Sequence, residues 1–525
     1  MHSYEALLVV LLAESIASYK ILIFSPRLGY SHVNFMGRIA DILVEAGHDV
    51  AVFVPDLNPD VSNNGSSLAK IIRKRFPNNQ YFEKNSSKMI WKKKGDSILQ
   101  VTRLYRRLAD AQRMSCQKHL EDEKLMDSLR AEHYDLGVTE HISFCGYAIF
   151  KKIALKNYVT AMAINLMEVS SDHFGVSSNP SYVPASFSSK SDKMNYFDRL
   201  TNVIIYTITY GLTKIIWEPT AQSLQHHLPN EFDYIEVVKQ SSLVFVNTEE
   251  LLEFPRLVSR KVVFVGGIAV SEASPLTEDY QQLMDRSEHG VILVSFGTVV
   301  KSKDMDSDVK EIFEGAFQQL SEITFIWKYE IEKRDVYLSN VVKRNWVPQN
   351  DLLNHRNLLG FVSHCGQNSL MESINAGVPL ICIPLYADQF RNSRAAESRN
   401  VALVLNKENL TANDLASALK TIIYDESYRK SAEKLKTMIR QKPMSARERL
   451  VKYTEFVIKY GPFDNFSVAG SELNIFQYFL VDVLIVIVPL VLLMIYISAN
   501  LTLRLFFLFF SVSRILTRRL FSVEG

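Results

Sequence analysis

The run that most restricts this chain is Phe476 to Leu501, FQYFLVDVLIVIVPLVLLMIYISANL, which as a helix can cross the roughly 30 Å hydrocarbon layer of a membrane. Inside lipid every backbone N–H and C=O needs a partner from the protein itself, and a lone apolar run meets that demand only as a helix. Asp482 lies near its start, where the interface hydrates it, and Pro489 is tolerated in a membrane helix. Arg504, Arg514, Arg518 and Arg519 follow, with only Glu524 opposing. The positive-inside rule therefore makes residues 502–525 a cytosolic basic tail and puts the long N-terminal part on the other side. A helix buried in a globular core is the alternative reading. LFFLFFSV, Leu505 to Val512, is too short for a second span and is expected to lie in the interface.

The opposite end carries ALLVVLLA, Ala6 to Ala13, too short to span and followed by the small residues Ser15, Ala17 and Ser18. That pattern reads as a secretory signal peptide over residues 1–18. Glu5 and the lack of Lys or Arg before the apolar run count against it, and a buried first strand is the alternative. The two ends agree on a single-pass type I membrane protein. Sequons at Asn64, Asn85, Asn409 and Asn465 are compatible with glycosylation in that topology.

Between the ends, 525 residues exceed one ordinary core, so two domains are expected. YKILIF is a strand signal, and SPRLGYSH reads as a loop. VNFMGRIADILVEAG then places Val33, Met36, Ile39, Ala40 and Leu43 at helical spacing, with Gly47 as a stop. HDVAVFV is a second strand, and a strand-helix-strand unit implies a parallel sheet with covering helices. YDLGVTE, YVTAMAI, SSLVFVNT and VVFVGG continue the pattern. GVILVSFGT, ITFIWKY, LLGFVSH and PLICIPL restart it after the turn-rich SEASPLTED. The expected domains are therefore 19–270 and 271–445, facing each other across a cleft. Residues 446–475, with the amphipathic SARERLVKYTEFVIKY, lead to the span at 476–501. A formal net charge of +2 gives no support for a nucleic-acid partner. Cys116, Cys145, Cys365 and Cys382 show no paired metal-ligand spacing. The basic stretch from Lys70 to Arg113 reads as a solvated surface or, more sharply, as a contact with anionic lipid headgroups.

Chemistry concentrates in Phe361 to Gln389, FVSHCGQNSLMESINAGVPLICIPLYADQ. A strand ends at His364, Gly366 permits a tight turn, and a helix beginning near Gln367 aims its free amides back at that spot. Such an N-terminus suits a phosphate or diphosphate. Glu372, further along the helix, can accept hydrogen bonds from ribose hydroxyls. Asp388 and Gln389 close the next strand at the same edge, an acid-amide pair suited to vicinal sugar hydroxyls. Upstream, Trp346 offers a flat apolar face and Gln349 a polar edge, a fit for a nucleobase. Each residue alone has a plainer explanation: a core tryptophan, a loop histidine, an aspartate capping a helix.

The combination W-V-P-Q-N-D-L-L, F-V-S-H-C-G-Q-N-S-L-M-E-S, A-G-V-P-L and P-L-Y-A-D-Q resembles the UDP-glycosyltransferase signature, in the form found in animal UDP-glucuronosyltransferases. The likeness runs through nearly the whole chain. It implies a GT-B fold, two Rossmann-like α/β domains with the nucleotide sugar on the second, plus a single C-terminal transmembrane helix. By this resemblance Trp346 and Gln349 bind uracil and Glu372 binds ribose. Ser295, Thr298, His364, Asn368 and Ser369 surround the diphosphate, and Asp388 and Gln389 hold the sugar. This chain reads His364-Cys365-Gly366 where many members read H-G-G. The implied partners are UDP-glucuronate or UDP-glucose, a small lipophilic acceptor and the membrane, with no metal and no cofactor; self-association stays open. The endoplasmic reticulum is the expected membrane, although the tail lacks the terminal lysine pair of many relatives.

The catalytic pair is expected from the first domain. His32 starts the first helix, where the positive helix end disfavours imidazolium and keeps the ring neutral. The family's base is a histidine in an S-H motif, matching Ser31-His32, and its partner is an Asp at a strand end. Here Y-D-L-G-V-T-E-H-I-S-F-C-G puts Glu140 in that place, with Asp135 at the wrong end of the strand. A catalytically dead sugar-binding relative and a lipid-handling protein are the competing classes.

Overall fold

The computed structural model describes residues 18–75, 86–92, 98–229, 231–330 and 338–521. The signal-peptide reading, the Asn85 sequon, Lys93, Lys94 and Glu524 lie outside the described residues.

Two parallel sheets organise residues 18–467, which form one compact unit. The first contains β1 (Lys20–Phe24), β2 (Asp49–Pro55), β3 (Lys70–Lys74), β4 (Leu136–Glu140), β5 (Tyr158–Met162), β6 (Val244–Val246) and β7 (Val262–Phe264), in the order β3-β2-β1-β4-β5-β6-β7. The second contains β8 (Val291–Ser295), β9 (Thr324–Lys328), β10 (Val341–Arg344), β11 (Leu358–Ser363), β12 (Leu380–Cys382) and β13 (Ala402–Val404), in the order β10-β9-β8-β11-β12-β13. Helices cover both faces, so the central strands are apolar on both sides: every residue of β4 and of β8 is buried. In each sheet the order reverses once, between β1 and β4 and between β8 and β11. Connections leave such a point in opposite directions and open a crevice at the carboxyl ends of the strands, where ligands of this architecture bind. His32 follows β1 and Glu140 ends β4; Ser295 ends β8 and His364 follows β11.

The two halves exchange anchors. Trp91, on the short helix Ser86–Trp91, is fully buried in the C-terminal core and meets the Phe296 ring edge-on at 5.0 Å. Its indole N–H donates to the Lys301 carbonyl at 2.8 Å, and the Lys301 N–H donates to Ser87 Oγ at 2.8 Å. In return, the helix Ala446–Tyr460, started by a Ser445–Glu448 capping box, buries Leu450 and Val457 in the N-terminal core. All four cysteines pair, as Cys116–Cys145 and Cys365–Cys382.

Three cations at the start of the basic stretch are paired locally. Lys70 pairs with Glu132, Arg73 with Asp56 and Lys74 with Asp122, at 2.9 to 3.2 Å.

Residues 468–521 form a separate unit. A short helix, Ile475–Tyr478, precedes Leu480 at φ 56°, and a single helix then runs over Val481–Phe521. Leu505 to Val512 continue that helix, since after Pro489 no proline or glycine interrupts it. Its 41 residues reach about 60 Å at 1.5 Å each, more than a bilayer core requires. It is the one helix long and apolar enough to cross a membrane among the described residues.

Candidate active site

The loop after β1 turns at Gly29 into the helix Tyr30–Glu45, and His32 falls in the first turn. Its Nδ1–H donates to Glu140 Oε1 at 2.6 Å, which in the neutral ring leaves Nε2 without a proton. The same Glu140 oxygen takes the Ala163 N–H at 3.2 Å, so the carboxylate is fixed from beyond the end of β5. The longer side chain of Glu thus closes the contact expected of an Asp. Asp135 sits at the other end of β4 and accepts the Lys20 N–H at 2.8 Å. One expectation is corrected: His32 is not held below its ordinary basicity. Burial pushes the imidazole down, but the charge and hydrogen bond of Glu140, with the charge of Asp388, outweigh it and raise the pKa. Asp388, from the C-terminal half, is therefore close enough to act on the ring across the cleft. Its own pKa is raised, chiefly by burial.

Opposite, β11 delivers His364 and the helix Gln367–Ala376. The His364 ring is wedged between two glycines. A Cβ at Gly297 would stand 2.8 Å from the ring, and one at Gly366 2.6 Å. Either side chain would expel it. Burial and the Lys328 ammonium push His364 down to about 4, so it is neutral. Its Nδ1 and the Ser295 Oγ are buried without a hydrogen-bond partner among the described residues, both at the mouth of this helix. Thr298 is half-buried nearby on the turn after β8. Cys365 takes φ 59°, the conformation that accounts for glycine in the H-G-G form.

Trp346 leaves its indole 57% exposed, with Lys328 Nζ 5.4 Å from its ring centre. Gln349 donates to Ser369 Oγ at 3.1 Å and to Glu372 Oε2 at 2.5 Å, so base-edge, diphosphate and ribose candidates form one network. Burial raises Glu372 to about 7. Asp388 does not cap the helix Gln389–Ser398; it accepts from Asn392 Nδ2 at 2.7 Å. The Gln389 carbonyl is taken by the N–H groups of Leu385 and Tyr386 at 2.9 and 3.2 Å, which leaves its amide nitrogen for a ligand.

Sequence reasoning missed the contacts that join the halves here. Tyr30, two residues before His32, meets the Trp346 ring edge-on at 6.3 Å. Asn247, just past β6, donates to Asn368 Oδ1 at 3.1 Å and accepts from Gln367 Nε2 at 2.6 Å. Arg391 pairs with Glu253 at 2.6 Å and donates to the Pro184 carbonyl at 3.1 Å. An asparagine at the carboxyl end of a strand was the one available signal, in VFVNT.

Two parallel α/β halves with ligand chemistry at both switch points define a GT-B glycosyltransferase architecture. The glycotransferase of kitacinnamycin shares the fold at TM-score 0.57 and 15% identity, covering 85% of this chain and all of that one. The spinosyn forosaminyltransferase SpnP does so at TM-score 0.54 and 16% identity, with the same coverage. The chain belongs to the UDP-glucoronosyl and UDP-glucosyl transferase family, whose model matches residues 20–514. It is 29% identical to UDP-glucosyltransferase 2 of Dactylopius coccus, over 91% of either chain. It is also 29% identical to UDP-glucuronosyltransferase 3A1 of Xenopus laevis, over 87% of this chain and 88% of the other. It is 27% identical to UDP-glucuronosyltransferase 1A9 of Mus musculus, over 93% of both. It is a UDP-glycosyltransferase, acting on a UDP-sugar donor and an acceptor.

Proposed function

We propose that this enzyme transfers glucuronate from UDP-glucuronate to small lipophilic alcohols, phenols or acids by a single inverting displacement; UDP-glucose is the alternative donor. His32 Nε2 removes the acceptor proton, and Glu140 holds the ring and the charge it gains. The acceptor oxygen then forms its bond to the anomeric carbon as the bond to UDP breaks, which inverts that centre. The electron pair leaves on UDP. Its charge is received by the amides at the start of the helix Gln367–Ala376 with His364, Ser295, Thr298, Asn368 and Ser369. Trp346 and Gln349 take the base, Glu372 the ribose, and Asp388 with the Gln389 amide the sugar. The donor brings its own leaving group, so the proposal calls on neither metal nor cofactor. In the cell, the bulk of the chain lies on the lumenal side of the endoplasmic reticulum with a short cytosolic tail.

The observation that most supports this reading is the 2.6 Å His32–Glu140 pair with Asp388 bearing on the same ring from the opposite half. The deciding experiment incubates the membrane-bound protein with each UDP-sugar and a phenol panel, and weighs the product. A hexuronosyl increment supports the glucuronate reading, and a hexosyl increment replaces it with glucose. Release of UDP from neither donor overturns the donor assignment.

Glu372 adds a pH signature. A ribose hydroxyl donates to the ionised carboxylate, while burial holds the free carboxyl neutral up to about 7. The KM for UDP-sugar is therefore expected to fall as pH rises through neutrality and to level off above it. Glu372→Gln should give a KM that is higher and flat with pH. A wild-type KM that does not change between acid and neutral pH removes the ribose role.

A further inference from the structure

Trp346 and Glu372, the base and ribose candidates of the C-terminal half, have a neighbour from the other half to which the proposed function gives no part. Tyr30 is half-buried and opens the helix Tyr30–Glu45, whose first turn is closed by the Val33 N–H on the Gly29 carbonyl at 3.1 Å. Its ring meets that of Trp346 at 6.3 Å and 65°, and the indole stays more than half exposed. Neither ring is packed into a hydrophobic core among the described residues. Two aromatic side chains are thus presented to the cleft from opposite halves. Burial and, behind it, the Glu372 carboxylate push the Tyr30 phenol above its ordinary range, so it is a protonated donor at neutral pH that stands within the field of the ribose candidate. Its O–H makes no hydrogen bond among the described residues. Lys328, the ammonium nearest Trp346, is by contrast committed to the Gly297 carbonyl at 2.6 Å and to Glu330 at 2.9 Å.

We propose that Tyr30 is a nucleoside-binding residue supplied by the acceptor half: its ring lies along the edge of a pyrimidine base stacked on Trp346, and its O–H donates to the ribose hydroxyl that Glu372 receives. The inference rests on the proposed donor site and adds what that site lacks. Trp346 offers a face and the Glu372 carboxylate an acceptor. A ribose hydroxyl that gives its hydrogen to the carboxylate keeps a lone pair, and the phenol fills it. Position gives the contact a second effect. Tyr30 and His32 share one helical turn, and that turn is tightly packed: a Cβ at Gly29 would stand 3.3 Å from the His32 ring. The nucleotide that engages Tyr30 therefore also holds the turn that carries the base, and His32 is fixed for the acceptor once the donor is seated.

The test titrates UDP and, separately, uridine into the detergent-solubilised full chain by calorimetry. Tyr30→Ala should weaken both by about tenfold, the joint share of an aromatic contact and a hydrogen bond. An equal factor for uridine puts the loss on the nucleoside, since uridine has no diphosphate. Tyr30→Phe keeps the ring and should weaken both by about threefold. In turnover, Tyr30→Ala should raise the KM for UDP-sugar by the same factor and lower kcat several-fold. A raised KM with kcat unmoved keeps the nucleoside contact and overturns its hold on His32. UDP affinity unmoved in Tyr30→Ala overturns the whole inference. So does a loss in Tyr30→Ala that comes with a lowered melting temperature while Tyr30→Phe binds like the wild type. A wild type that takes up neither UDP nor uridine overturns the donor site itself, and the part given to Tyr30 falls with it.

Discussion

The variant His32→Ala is expected to lose about a thousandfold in kcat, the size of a general-base contribution, while UDP affinity by calorimetry stays at the wild-type value. The separation follows from location, since His32 belongs to the crevice of the first sheet and the nucleotide candidates to that of the second. The pH profile carries the stronger discrimination. The imidazole must be neutral to accept the acceptor proton, and Glu140 with Asp388 raises its pKa above the ordinary 6.5. Activity should therefore climb with pH along a limb lying above 6.5 and be lost as pH falls through it. Glu140→Gln removes the carboxylate that raises the pKa, so its residual activity should persist to lower pH than in the wild type. Glu140→Asp opens the 2.6 Å contact by one methylene and should give an intermediate rate. Unchanged turnover in His32→Ala would discard the base; an unmoved limb in Glu140→Gln would discard its partner.

What the sequence made legible follows burial. Strands enclosed on both faces, such as ILIF of β1 and VILVS of β8, have to be continuous apolar runs and were readable as such. The three strands absent from the sequence reading, β3, β10 and β13, are all at sheet edges. KIIRK and VVKR meet water along one side and carry no continuous run. The site shows the same division. His364, which follows β11 directly, stands where local chain order put it, whereas Asp388, expected to close a strand, lies six residues past β12 at the start of the next helix. Asn247 and Tyr30 act across the cleft, and no spacing within one half announces a partner in the other. The helix end alone did not predict the direction of the His32 shift: the charge and hydrogen bond of Glu140, an expected partner, act together with the charge of Asp388 from the other half, which no spacing announced, and outweigh burial.

Trp91 presents the other large effect. Its ring fills the C-terminal core from a segment that belongs by sequence to the N-terminal half, and its truncation to alanine should cost about 3–5 kcal/mol of stability. Because Leu450 and Val457 return the exchange, neither half keeps a complete core alone, so the detergent-solubilised full chain should melt in one transition rather than two. The consequence for the donor is local. Trp91 Nε1 and Ser87 Oγ hold both sides of the Lys301 peptide, four residues after Gly297, and Gly297 packs on the His364 ring. Loosening that peptide frees the turn that carries Thr298. Trp91→Ala should accordingly raise the KM for UDP-sugar several-fold with a much smaller change in kcat, since the His32–Glu140 pair is untouched. Trp91→Phe keeps most of the volume and removes only the indole donor; a stability loss of about 1 kcal/mol with the KM still raised separates positioning from packing. Two resolved melting transitions in the wild type, or a KM that neither variant moves, would show that the two halves are not braced through this peptide.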